Sequence, residues 1–111
     1  MFGSEVPSVT VPDVADDAWL LDVREADEWA AGHAPGAHHL PMTELPSRLA
    51  DVPLDGEVVV VCRSGRRSAQ VVAYLIQRGW ENVRNLDGGM QEWAAAGRPL
   101  TNESGTPPRV I

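Results

Sequence analysis

The sequence predicts an α/β domain, a largely parallel sheet with helices on both faces. Short β-branched runs alternate with stretches whose apolar residues recur at helical spacing. The connections between successive strands are too long for hairpins, which leaves crossovers and parallel pairing. After Glu57 come four consecutive valines, Val58–Val61, a run suited to a strand buried on both faces.

Taken in order, residues 1–8 are read as a flexible N-terminus, polar with one proline, and residues 9–100 as the folded domain. Val9–Val11 is a short strand closed by Pro12, and the acidic stretch from Asp13 to Asp17 suits a helical turn. Trp19–Val23 is the next strand. Glu25–Ala31 has an acidic first turn, places Trp29 and Ala30 toward the core, and meets Gly32 as a stop. Pro35-Gly36 sets a turn, and Ala37–Leu40 is a strand ended by Pro41. Thr43 is the expected N-cap of a helix through Ala50, with Pro46 tolerated in its first turn. Beyond the valine strand, a helix from Ser68 to Gly79 is expected to bury Ala69, Val72, Ala73 and Ile76. Val83–Leu86 is the last strand, Gly88-Gly89 a turn, and Met90–Ala96 a helix stopped by Gly97. Residues 101–111, rich in Thr, Ser, Gly and Pro, are read as a flexible tail.

A net charge of −7 argues against nucleic acid or an anionic membrane surface as partner. Locally the sign reverses, because Arg63, Arg66 and Arg67 crowd the residues after Cys62. That points to a small anion. The single cysteine excludes an internal disulfide and a multi-cysteine metal site, and it suits a reducing compartment. The first residues carry no basic and apolar leader, and no apolar run reaches membrane-spanning length, so a cytoplasmic location is expected.

Cys62 follows directly on the valine strand and precedes a glycine-containing polar turn and a helix. Helix starts leave N–H groups without intrahelical partners and carry partial positive charge. A thiol in that field, beside three arginines, ionises more readily than a free cysteine. The plainer reading, a buried structural cysteine, does not account for the arginines or the position at a strand end, where α/β sheets bind ligands. Asp22 shares that edge.

Several stretches resemble the rhodanese-like domain family. Leu21–Glu25, Glu28-Trp29 and Gly32–Ala37 are similar to its first signature. Cys62–Ser68 resembles its active-site loop, and Leu86–Gly89, Trp93 and Ala96–Pro99 its C-terminal signature. The resemblance implies a five-stranded, mainly parallel sheet and sulfur-transfer chemistry. In that chemistry a cysteine takes the outer sulfur of a donor such as thiosulfate, holds it as a persulfide, and yields it to cyanide or a thiol. Cys62 would be the nucleophile, and Arg63, Ser64, Gly65, Arg66, Arg67 and Ser68 would bind the substrate, with Arg63 and Arg67 favoured over Arg66 for the anion. No metal or organic cofactor is implied. The partners would be a small anionic sulfur donor and a thiol or protein sulfur acceptor. Asp22 and Arg24 would play a supporting structural part, with Arg24 expected to pair with Glu28.

Related phosphatases have a Cys-x5-Arg loop; here position 68 is Ser68 and Arg67 comes one residue early, which favours sulfane sulfur over a phosphate ester. A sulfur carrier or partner-binding module is the alternative, and an arsenate reductase or phosphatase a third reading. His33, His38 and His39 are not expected to hold a metal, since neighbouring strand residues face opposite ways. The tryptophans are read as packing residues, Trp29 and Trp93 where the family has apolar anchors.

Overall fold

The computed structural model describes residues 6–111 of the chain. Five strands, β1 (Ser8–Val9), β2 (Trp19–Asp22), β3 (His38–His39), β4 (Val58–Val61) and β5 (Val83–Leu86), form one sheet in the order β1-β5-β4-β2-β3. Every neighbouring pair is parallel. Asp22 lies level with Val61, and Leu86 level with Val9 on the far side. The helices are α1 (Ala26–Ala31), α2 (Arg66–Gln77) and α3 (Gly89–Ala95).

Side chains alternate across the sheet, so the valine run feeds two cores. Val58 and Val60 join Leu21, Val71, Val72 and Leu75 on the α2 face. Val59 and Val61 join Leu20, Leu86, Met90 and Trp93 on the α3 face. All four valines are 0% exposed, and burial at ~1.5–3 kcal/mol per side chain makes β4 the best anchored strand. Its C-terminal end therefore holds the next residue, Cys62, on a fixed platform.

Some elements differ from expectation. The first strand is Ser8–Val9, and Val11–Asp13 is a 3₁₀ turn begun by Pro12. No α-helix forms over 43–50. Met42–Ser47 and Leu49–Asp51 are 3₁₀ segments, and Thr43 caps neither. Pro46 lacks the N–H for an i→i−4 bond, so the segment closes through shorter ones, Glu44 N–H to Pro41 and Arg48 N–H to Leu45. The helix α2 starts at Arg66, and it buries Ser68, Val71, Val72 and Leu75. Ile76 is 41% exposed. The stripe with the larger side chains faces the sheet, leaving Ala69 and Ala73 at its margin. Ala30 is exposed as well, while Trp29 is half-buried.

Within the reach of the described residues, Val6 packs on the core and the Pro7 carbonyl accepts from Asn85 N–H; Met1–Glu5 lie outside them. The residues after 100 run along the domain. Thr101 forms an antiparallel bridge with His33, Arg109 N–H donates to the Ala31 carbonyl, and Val110 packs on the α3-side core. Gly32 has an extended φ of 172° and is not a left-handed stop. It is small because a Cβ there would lie 2.5 Å from the Arg109 carbonyl oxygen.

Candidate active site

Cys62 leaves β4 at the carboxyl edge of the sheet and is 0% exposed. The chain turns over it through Gly65, at φ +99°, and enters α2. A side chain at Gly65 would be strained and would crowd the Leu86 carbonyl and Gly88 N–H. The turn brings Gly65 N–H to 3.1 Å and the Ser68 hydroxyl to 3.3 Å from Cys62 Sγ. Burial pushes the thiol up, but the Ser68 hydroxyl and the N–H groups of Ser68, Gly65 and Ser64 outweigh it and bring it below the ordinary cysteine value. The start of α2 adds its dipole.

The other pole of the loop is held by α3. Met90 N–H donates to the Cys62 carbonyl at 2.8 Å and Gln91 N–H to the Arg63 carbonyl at 3.0 Å. This approach requires Gly89, where a Cβ would come 2.5 Å from the Cys62 carbonyl oxygen. The Arg63 carbonyl held by α3 belongs to the same peptide as the Ser64 N–H, one of the groups that face the sulfur.

The arginines separate into different roles. Both Nη atoms of Arg67 donate to Glu28, at 2.8 and 2.9 Å. That contact lowers the Glu28 carboxyl against the opposing effect of its burial, and raises Arg67. Glu28 Oε1 also accepts Glu25 N–H in the capping box of α1, so the pair joins the loop to that helix. Arg63 is exposed, and its Nε donates to the Ile111 carbonyl at 3.0 Å. Arg66 is exposed and, with Ser64, Gly65, Asn85 and Asp87, lines a cleft of about 780 Å³ beside the loop.

A family model described as the rhodanese-like domain matches residues 11–96. The chain belongs to the rhodanese-like domain family. It is 44% identical over 90 residues to a sulfurtransferase of Allochromatium vinosum, covering 81% of this chain and 84% of that protein. It is 37% identical to a thiosulfate sulfurtransferase of Pseudomonas entomophila, over 71% of this chain and 72% of that one. A rhodanese-related protein of Thermoplasma volcanium superposes with a TM-score of 0.81 at 31% identity, covering 87% of this chain and 99% of that chain. These relatives support a rhodanese-type sulfurtransferase and the five-stranded fold.

Within this rhodanese-like domain the expected partner of Arg24 is corrected. Arg24 does not reach Glu28. Its Nε and Nη2 fork onto Asp22, the shortest contact being 2.8 Å, and Nη2 also donates to the Gly32 carbonyl. Asp22 and Arg24 stand two residues apart where β2 ends, so the guanidinium folds back on the carboxylate and Glu28 is left for Arg67. Both members of the Asp22–Arg24 pair are 0% exposed.

The histidines are used in stacking. His33 and His39 lie on Trp29, at 3.5 and 4.7 Å between ring centres, while His38 lies on Trp19 at 3.9 Å. His33 Nδ1 donates to the Trp29 carbonyl and His39 Nε2 to the Arg24 carbonyl. No helix among the described residues is long and apolar enough to cross a membrane.

Sequence reasoning missed Asn85. It is 4% exposed, and its amide joins the Ser68 hydroxyl and the Gly65 carbonyl. The available signal was strand alternation, which puts Asn85 on the face of buried Val83, opposite to exposed Arg84.

Proposed function

We propose that this protein moves sulfane sulfur from a small anionic donor such as thiosulfate to cyanide or a thiol through a Cys62 persulfide. The observation that carries this reading is the cradle at Sγ, one N–H and one hydroxyl within 3.3 Å at the end of the most buried strand. The thiolate attacks the outer sulfur of the donor. A bond forms from Sγ to that sulfur, the donor's S–S bond breaks, and its electron pair leaves on sulfite. The acceptor then attacks the outer sulfur and the pair of the Sγ–S bond returns to Cys62 as thiolate, dividing one displacement into two. Loop N–H groups favour anionic sulfur or the donor's oxygens. Arg63 and Arg66 add positive charge nearby. The likeness to the thiosulfate sulfurtransferase of Pseudomonas entomophila supports thiosulfate as donor.

Two features favour sulfur over a phosphate ester. Ser68, not an arginine, is the residue turned onto Sγ, and the fork of Arg67 is occupied by Glu28. A cytoplasmic location and a protein acceptor belong to the same proposal. They fit a lone, lowered thiol beside a cleft.

Intact-protein mass spectrometry after thiosulfate treatment tests the reading. Wild type should gain one sulfur, lose it to cyanide as thiocyanate and do so repeatedly, while Cys62→Ser should gain none. Loading without repeated turnover would make the protein a sulfur carrier. No loading from thiosulfate would overturn the donor assignment.

A further inference from the structure

Ser68 has one hydroxyl proton and two acceptors for it. Its Oγ lies 3.3 Å from Cys62 Sγ and in a closer contact with Asn85 Oδ1. The amide of Asn85 is oriented by its other end, since Nδ2 donates to the Gly65 carbonyl at 3.2 Å. Oδ1 therefore faces the hydroxyl and can only accept. Ser68, Asn85 and Cys62 are all buried. A group left without its partner there carries a desolvation penalty.

We propose that Asn85 is a positioning residue that alternates with Cys62 as acceptor for the Ser68 hydroxyl proton, so that the hydroxyl turns with the charge on the sulfur. With Sγ protonated, the hydroxyl donates to Asn85 and its lone pairs face the thiol. With Sγ ionised, it turns to the sulfur and Oδ1 loses its donor. Once a sulfane sulfur is attached, the negative charge sits on the outer atom and the hydroxyl returns to Asn85. Asn85 thus opposes the bare thiolate and favours the loaded form. The last step rests on the persulfide reading given above; the competition for the proton does not.

The test follows Cys62 ionisation directly, by the pH dependence of iodoacetamide alkylation, which needs no sulfur donor. Asn85→Ala should lower the midpoint by about 0.5–1 pH unit, the scale of one neutral hydrogen bond released to the thiolate. In a Ser68→Ala background the same change should shift nothing further. Equal shifts in both backgrounds, or an upward shift in the single variant, would reduce Asn85 to a brace for the Gly65 turn and overturn the proposal. The wild-type protein gives an independent reading that does not depend on a variant folding. The side-chain amide resonance of Asn85 should titrate with the alkylation midpoint of Cys62, and its silence would also overturn the idea. Coupled titration without sulfur loading would sink the transfer reading alone.

Discussion

Two helices begin beside Cys62, and they hold opposite poles of the loop backbone, meeting on one shared peptide, Arg63–Ser64. Both are entered through a left-handed glycine, Gly65 for α2 and Gly88 for α3, and neither start has a side-chain cap. The turn into α2 leaves its N–H groups for the sulfur. The start of α3 spends its own on the Cys62 and Arg63 carbonyls. The contrast teaches that an anion cradle needs both helices. A loop free to rotate its peptide planes would present oxygens as readily as N–H groups, and α3 removes that freedom.

The largest way to break this division is Gly89→Ala. Its Cβ would run into the backbone of Cys62 and Arg63 at positive φ, so a loss of about 2–5 kcal/mol from overpacking and backbone strain is expected. Denaturant unfolding and sulfur loading should both fall, and a variant melting with wild type would mean that α3 does not clamp the loop. Gly65→Ala comes next, at about 1–3 kcal/mol for strain at φ +99°. It should also raise the alkylation midpoint of Cys62, because the N–H at 3.1 Å is displaced. An unchanged midpoint would remove Gly65 from the cradle.

A finer test compares Arg67→Ala with Glu28→Gln. If Arg67 works through Glu28 by setting the loop against α1, both variants should raise the KM for thiosulfate similarly, with stability losses of about 1 kcal/mol or less for a partly exposed pair. A rise confined to Arg67→Ala would instead indicate contact with the substrate.

The smallest effect concerns acid. Glu28 has a folded value lowered from 4.5, so its contribution to stability is complete above 4.5 and is lost as pH falls through the lower folded value. Glu28→Gln should therefore lose less stability than wild type on going from about pH 5 to pH 3, measured by urea unfolding at each pH. Parallel losses would show that the pair does not link folding to protons.

The strand pattern, the parallel sheet and the place of Cys62 were legible because they depend on local hydrophobic runs and on one strand-loop-helix junction. The register of α2 was not, because one-residue rotation of a mixed Ala/Val/Leu/Ile stripe depends on where the loop releases the helix. Pairing among charges was hidden for a similar reason. Arg24, Glu28 and Arg67 offer more than one sensible partnership in sequence, and only the approach of α1 to the loop selects among them. The contacts of residues 101–111 depend on distant surfaces such as Gly32, which composition does not encode.

The Trp29 stack supplies an optical handle. Its indole stacks on two imidazoles, those of His33 and His39, so its emission is sensitive to small displacements of either ring. Because Trp29 directly follows Glu28 in α1, the light it emits also reports on the helix to which Arg67 is tied. In a background with Trp19, Trp80 and Trp93 replaced by Phe, movement of the loop against that helix can be followed without attaching a dye.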